Sequence, residues 1–207
     1  MKYNLYFRKT SFKKDIKNAE KLLSIVNICK PKNFLEVGVL EGVTSRNICE
    51  LLYTFHSDDF KFIGIDLFGM DKDLNNNKEF TPLSNKYSNP FKNLYFNYIL
   101  KEDPNSINAV KKLLKKFEKS VSLYRGYSEE ILKKIDIAKF DFVFLDGGHS
   151  YPTVKSDLKI LLNNMKKNSI ILCDDYNINH YGVKRAVDEL KHKYQFEDMG
   201  RFAFIKI

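Results

Sequence analysis

Short apolar segments alternate with segments of helical periodicity along most of the 207-residue chain, and this alternation strongly constrains the fold. Five apolar segments have the length and composition of buried strands: residues 33–39, 61–68, 121–126, 140–146 and 169–175. The spacing of apolar residues predicts helices around and between them: residues 14–29, 41–55, 107–119, 128–135, 152–165 and 182–194. Strands that alternate with helices form right-handed crossovers. We therefore predict an α/β sheet that is doubly wound and mainly parallel.

The rest of the chain completes this sheet and adds one irregular segment. The last residues predict two short strands around Gly200 that pair antiparallel, which brings the sheet to seven strands. No repeat or linker interrupts the sequence, so residues 1–207 are predicted to form one domain with a helical extension at 1–32. Residues 69–105 are polar and weakly periodic. Because long irregular segments in compact domains are usually functional or mobile, we predict a lid or substrate-binding insertion there.

Composition limits the compartment and the partners. No apolar segment approaches the roughly 20 residues that span a bilayer, and no apolar signal segment follows the basic start. Three scattered cysteines, Cys29, Cys49 and Cys173, fit reduced thiols, so a cytoplasmic protein without a membrane span is expected. The net charge is +9, but only five of the 35 basic residues are arginines. Nucleic-acid recognition relies on arginine, so nucleic acid is not the expected partner.

Polar residues at the end of the first predicted strand indicate a cofactor site. The segment LEVGVLEGVTS places Glu36 on the strand, Gly38 and Gly42 in the turn, and Ser45 at the start of the helix. Glycines allow a ligand to approach the backbone, and the helix N-terminus offers unpaired N–H groups. The G-x-x-x-G spacing departs from the G-x-G-x-x-G dinucleotide pattern. An acid before the glycines suits a ligand that carries an ammonium or sulfonium group.

The second predicted strand adds a further acid. Asp66 ends that strand, where a carboxylate can accept hydrogen bonds from both ribose hydroxyls. The pattern E-x-G-x-x-x-G followed by an acid at the end of the next strand resembles class I S-adenosylmethionine-dependent methyltransferases. Their fold is Rossmann-like. In the segment YRGYSEE, Ser128 is also expected to cap a helix. The resemblance implies these cofactor-binding residues: Glu36, Gly38, Gly42, Ser45, Asp66, Leu67, Gly126, Tyr127, Ser128 and Asp146.

Acidic residues also end the fourth and fifth predicted strands. Asp146 closes the fourth strand, and Asp174 and Asp175 close the fifth. Neighbouring strands lie about 4.8 Å apart, so these carboxylates are expected to converge. Three like charges need compensation, and a hard divalent cation with oxygen ligands would supply it. Alternatively, Asp175 caps a loop and Asp174 accepts backbone N–H groups.

One histidine belongs to the same region. In the segment FDFVFLDGGHSYPTVKSDL, His149 follows two glycines that free the backbone to turn its ring toward the acids. A neutral imidazole could remove a proton from a hydroxyl near pH 7. It could instead coordinate the metal ion or form a hydrogen bond with Tyr151.

The segment D-G-x-H-x-Y…D-L…DD narrows the resemblance. Residues 33–190 resemble macrocin O-methyltransferase, other antibiotic-sugar O-methyltransferases and the cephalosporin hydroxylase-like proteins. This resemblance implies Mg²⁺ (or Mn²⁺) bound by three acids: Asp146, Asp174 and Asp175. The relatives' catalytic base falls on Gly148 here, so His149 is predicted to replace it, with Asp146 as the other catalytic residue.

These features predict an S-adenosylmethionine-dependent, metal-assisted O-methyltransferase that acts on a hydroxyl of a sugar or small polyol. A small-molecule partner is expected, and the sequence is compatible with a homo-oligomer. Three competing hypotheses are a catechol-type methyltransferase, a nucleic-acid methyltransferase on the same scaffold, and a cofactor-binding protein without activity. An NAD-dependent oxidoreductase is disfavoured by the glycine spacing.

Overall fold

A computed structural model describes residues 2–69, 89–99, 101–177 and 180–207. Its strands are β1 (Asn33–Val37), β2 (Lys61–Asp66), β3 (Val121–Arg125), β4 (Phe142–Leu145), β5 (Ile170–Cys173), β6 (Gln195–Met199) and β7 (Phe202–Lys206). The α-helices of the described residues are α1 (Ile16–Cys29), α2 (Val43–His56), α3 (Pro90–Leu94), α4 (Ile107–Leu113), α5 (Ser128–Leu132), α6 (Tyr151–Asn164) and α7 (Tyr181–Asp188). No helix among these residues is long and apolar enough to cross a membrane.

The seven strands form one sheet in the order β3-β2-β1-β4-β5-β7-β6. The first five are parallel, whereas β7 is antiparallel to both β5 and β6. The chain builds outward from β1 to β2 and β3 on one side, and from β4 to β5 on the other. The order therefore reverses between β1 and β4, where open α/β sheets bind ligands beyond the carboxyl ends of their strands. The predicted fold class is confirmed.

Stacked aromatic rings fix which residues of β1 face the helices α1 and α2. Phe34 lies between Phe62 of β2 and Phe142 of β4, with ring centroids 5.7 and 5.1 Å apart. These three residues are partners in the strand register and are fully buried. Because side chains alternate along a strand, Glu36 lies on the same face as Phe34. Packing of the core thus buries the side chain of Glu36 near the end of β1.

Several predicted helices end earlier than the sequence pattern indicated. The predicted helix 107–119 ends at Leu113 and continues as a 3₁₀ turn over Lys115–Phe117. The predicted helix 182–194 is α-helical only over Tyr181–Asp188. None of residues 189–194 is fully buried, so packing does not stabilise further turns of α7. Leu114 and Phe117, in contrast, remain buried although α4 has ended. The predicted lid, 69–105, lies partly outside the described residues, and the single-domain boundaries with the extension 1–32 stay predictions.

The prediction that Ser128 caps a helix is wrong. Tyr127 occupies the N-cap position of α5, and its side chain makes no capping hydrogen bond. The Ser128 hydroxyl instead contacts both carboxylate oxygens of Asp157 on α6, at 2.9 and 2.7 Å. Asp157 is almost completely buried, so a hydrogen bond to its carboxylate stabilises the fold more than a hydrogen bond to an exposed N–H group would.

Candidate active site

Most of the predicted site residues lie at the carboxyl edge of the parallel strands. Asp66 ends β2, Asp146 follows β4, and Asp174 and Asp175 follow β5. The loop from Gly38 to Gly42 leaves β1 at the same edge and leads into α2.

The loop after β1 lies very close to β4. Gly38 has φ +94°, and a Cβ atom built on it would lie 1.9 Å from the carbonyl oxygen of Asp146. Its N–H donates to the carbonyl of Ile65 at 2.9 Å. Gly42, at φ +76°, is the N-cap residue of α2. Glycine is thus required at position 38 by both backbone conformation and space.

Asp66 anchors the same loop. Its Oδ2 accepts the N–H groups of Val39 at 2.8 Å and Leu40 at 2.9 Å, and its Oδ1 accepts that of Phe68 at 2.7 Å. An ionised carboxylate has about four acceptor positions, so these three bonds leave one for a ligand. The sequence did not predict this anchoring function. The predicted ribose contact stays a prediction.

Glu36 is a fully buried acid with one unsatisfied oxygen. Its Oε2 accepts the hydroxyl of Ser45, whereas Oε1 has no hydrogen-bond partner among the described residues. Burial raises the pKa of Glu36 to about 8, and the nearby charge of Asp66 raises it as well, although Ser45 acts in the opposite direction. A buried, unpaired carboxylate oxygen fits a ligand that brings an ammonium group, because such a group would supply the missing donor.

We expect Glu36→Gln to remove part of the pH dependence of stability. The folded-state pKa of about 8 exceeds the ordinary value of 4.5, so the folded chain keeps a proton that the unfolded chain loses. The stabilisation is complete below pH 4.5 and is lost as the pH rises through 8, with a slope of about 1.4 kcal/mol per pH unit. In urea unfolding, the free energy of unfolding of the variant should therefore rise relative to that of the wild type from pH 5 to pH 8. Glu118→Gln, at an exposed position, is the matched control. Parallel stability curves for wild type and Glu36→Gln would contradict the expectation.

The residues predicted to surround an adenine ring lie next to β2. The N–H of Gly126 donates to the carbonyl of Asp66 at 3.1 Å, and Arg125 Nε donates to the carbonyl of Leu67 at 3.2 Å. Tyr127 follows directly, and Ser128 is engaged with α6 as described above. These positions adjoin the Asp66 end of the glycine loop. The predicted adenine contacts stay predictions.

The predicted acid cluster comes together. One carboxylate oxygen of each of Asp146, Asp174 and Asp175 lies within 4.8 Å of the others. Burial, together with the charges of the two other acids, raises the pKa of Asp146 well above its usual range. Burial also raises the pKa of Asp174, against the opposing effect of Arg201.

An arginine that the sequence pattern does not indicate meets this cluster. Arg201 donates from Nε and Nη2 to the two oxygens of Asp174, at 2.6 Å each, and its Nη2 lies 3.1 Å from Asp175 Oδ1. The arginine side chain is 7% exposed and that of Asp174 is 0% exposed. The alternative that Asp174 only accepts backbone N–H groups therefore does not describe its contacts fully, because Asp174 also forms a buried bidentate ion pair with Arg201.

His149 turns toward Asp175, as expected. Its Nε2 lies 3.1 Å from Asp175 Oδ2, and its ring stacks on that of His180 at a centroid distance of 4.0 Å. Burial disfavours ionisation of Asp175, but the hydrogen bond from His149 and the positive charge of Arg201 hold the pKa of Asp175 below its usual range. The alternative contact of His149 with Tyr151 is not observed. The hydroxyl of Tyr151 donates to Glu189 at 2.6 Å instead.

The N-terminal residues pack against the glycine loop, a contact that no sequence pattern indicates. The hydroxyl of Tyr3 forms hydrogen bonds with Thr44 at 2.8 Å and Thr10 at 3.1 Å, and the residue is 4% exposed. The backbone N–H of Lys9 donates to Glu41 Oε2 at 2.7 Å. The segment before α1 therefore covers the start of α2 at the carboxyl edge of the sheet.

This fold, with a glycine loop after β1, a buried acid on β1 and an acid ending β2, defines the class I S-adenosylmethionine-dependent methyltransferases. The chain belongs to the methyltransferase domain family, whose model matches residues 35–176. It is thus an enzyme of the class that the resemblance implied. The narrower macrocin and cephalosporin hydroxylase-like branch stays a prediction. No curated protein sequence matches the chain significantly.

Solved methyltransferase structures share the fold at low sequence identity. The O-methyltransferase from Bacillus cereus in complex with SAH has a TM-score of 0.61 and 12% identity, covering 96% of this chain and 84% of that one. The O-methyltransferase NovP has a TM-score of 0.61 and 16% identity, covering 90% and 79%. CalS11, a calicheamicin methyltransferase, has a TM-score of 0.63 and 16% identity, covering 98% and 81%.

Proposed function

We propose that this methyltransferase is an O-methyltransferase that transfers a methyl group from S-adenosylmethionine to a hydroxyl of a sugar or small polyol. The observation that carries the proposal is the pair His149–Asp175, at 3.1 Å, on the strand edge that also carries the glycine loop. Support for an oxygen acceptor comes from the similar folds of O-methyltransferases such as NovP. Support for a small-molecule acceptor comes from CalS11, named for calicheamicin.

The glycine loop and its acids would hold the cofactor. The buried Oε1 of Glu36 would accept a hydrogen bond from the ammonium group of the methionine half, and Asp66 would accept one from the ribose. Gly38 keeps the loop close to β4, and Gly42 lies against Val110 and Leu113 of α4. The first turn of α2, which includes Ser45, offers further N–H groups. When bound, the cofactor supplies an electrophilic methyl group on a sulfonium centre.

His149 would act as the base. With the hydrogen of its neutral ring on Nε2, the imidazole donates to Asp175, and Nδ1 remains to accept the proton of the acceptor hydroxyl. The histidine side chain is 42% exposed, so a hydroxyl can reach it from solvent. Asp146 connects the glycine loop with the acid cluster. Its backbone carbonyl lies against Gly38, and its carboxyl group belongs to the acid cluster.

The predicted Mg²⁺ or Mn²⁺ stays a prediction, and its ligand set does not fit a divalent ion as the acids are arranged. Both oxygens of Asp174 are paired with Arg201, and the oxygens of Asp175 are paired with Arg201 and His149. We therefore derive no step from a metal ion. A cytoplasmic location and a homo-oligomer also stay predictions.

The proposal is tested by incubating the full chain with labelled S-adenosylmethionine and a panel of sugars and polyols. Each active acceptor is then compared with its deoxy analogue at every hydroxyl. We expect methylated product and S-adenosylhomocysteine in equal amounts, with activity lost only in the analogue that lacks the reacting hydroxyl. Cofactor binding without turnover on any hydroxyl would overturn the proposal and favour a cofactor-binding protein. Exclusive turnover on catechols would favour a catechol-type methyltransferase, and salt-sensitive turnover on RNA would favour a nucleic-acid methyltransferase.

A further inference from the structure

The guanidinium group of Arg201 lies inside the acid cluster where a metal ion was predicted. It makes two bonds of 2.6 Å to Asp174 and lies 3.1 Å from Asp175. Charge-assisted bidentate pairs of this type are among the strongest hydrogen-bonded contacts in proteins. The chain itself therefore supplies one positive charge to the converging acids.

The strand register brings Arg201 to this position. In the antiparallel pair β5–β7 the last partners are Cys173 and Ala203, so the residues that follow β5 lie beside those that precede β7. The N–H of Tyr176 donates to the carbonyl of Arg201 at 2.8 Å, which extends the pairing past the strand ends. The arginine enters the cluster because the backbone places it there.

The N-terminal segment holds the opposite side of the guanidinium. The guanidinium carbon lies 4.2 Å from the ring centroid of Phe12, and Nη1 lies 3.4 Å from Asp15 Oδ2. Phe12 is completely buried. Arg201 is therefore enclosed between two acids of the cluster, an aromatic face and a third acid. Moving it aside would break all of these contacts together.

From these contacts we infer that Arg201 is the resident cation of the acid cluster, takes the place of a divalent metal ion, and positions Asp175 to orient His149. The inference rests on the proposed function only for the role of His149. A divalent ion bound to oxygens at about 2.1–2.6 Å would stand beside the guanidinium, and the two positive charges would repel. The acceptor then needs one reacting hydroxyl and no second oxygen to chelate a metal ion.

Mn²⁺ binding to the full chain, measured by EPR after EDTA treatment and without cofactor or acceptor, tests this inference. Wild type is expected to leave Mn²⁺ free and to have the same Tm in Mn²⁺ and in EDTA. Arg201→Met should lower the Tm in EDTA by about 10 °C, bind Mn²⁺ and recover part of that loss. Loss of a merely structural contact would not create Mn²⁺ binding. Arg185→Met, at an exposed arginine, is the matched control.

Wild-type Mn²⁺ binding that Asp174→Asn abolishes would overturn the inference, and so would a folded Arg201→Met variant that binds no Mn²⁺. If Arg201→Met does not fold, Arg201→Lys serves as the second variant. Lysine keeps the charge but lacks the planar fork that pairs with both oxygens of Asp174, so weak Mn²⁺ binding is expected. Because no methyl transfer is measured, failure of the proposed function leaves this test intact. Failure of this inference likewise leaves the acceptor assay unaffected.

Discussion

Replacing His149 by glutamine is expected to lower kcat for methyl transfer about 10²- to 10⁴-fold, the range for loss of a general base. Glutamine preserves a hydrogen bond to Asp175 but cannot accept a proton from the acceptor hydroxyl. The affinity for S-adenosylmethionine should change little, because the proposed cofactor residues lie around the glycine loop. Single-turnover rates and cofactor titrations separate the two effects.

His192→Gln is the matched control for this experiment. His192 is exposed and lies in the turn between α7 and β6. The same substitution there is expected to leave kcat unchanged. If His149→Gln retains more than a tenth of the wild-type kcat, the imidazole is not the base, and its contact with Asp175 has only a structural role.

Gly38→Ala is expected to destabilise the fold by about 3 kcal/mol or more. The new Cβ would lie 1.9 Å from the carbonyl oxygen and 2.5 Å from the carbonyl carbon of Asp146. Both are backbone atoms, so no side-chain rotation relieves the contact. The positive φ adds the usual strain of a residue with a Cβ. Urea unfolding measures the loss, and cofactor affinity should fall with it because the loop must move away from β4.

Gly200→Ala separates strain from crowding. Gly200 has φ +81°, close to that of Gly38, but a Cβ built there has no atom within 4 Å. This control is therefore expected to cost only the strain of the positive φ, about 1–2 kcal/mol. Equal losses in the two variants would show that the close approach of the glycine loop to β4 can be relaxed.

The contacts of Arg201 change what the acid cluster requires of an acceptor. A metal-assisted transfer would favour two neighbouring oxygens that chelate the ion. A cluster whose resident cation is Arg201 would need only a hydroxyl that reaches His149, whose side chain is 42% exposed. Methyl transfer to acceptors that carry an isolated hydroxyl can be compared with transfer to the matching vicinal diols. This comparison tests the same inference through the choice of substrate.

The glycine loop also shows why a sequence pattern can identify a residue without giving its contacts. Asp66 was predicted at the end of β2, and it is there. Its carboxylate already accepts three backbone N–H groups, two of them from Val39 and Leu40 in the glycine loop. The spacing of acids and glycines carries no information on which of them pair with each other in the folded chain.

By itself, the sequence determined the order of strands and helices, the parallel core of the sheet, and the set of acids and glycines at its carboxyl edge. It could do so because hydrophobic periodicity is local, and parallel strands that end in polar residues expose them at one edge. Only the tertiary structure decided which charges meet there. Arg201 reaches Asp174 across 27 residues through the antiparallel register of β5 and β7, and Tyr3 reaches Thr44 across 41 through packing of the N-terminal segment. Such pairings depend on strand order and burial, which local periodicity does not encode.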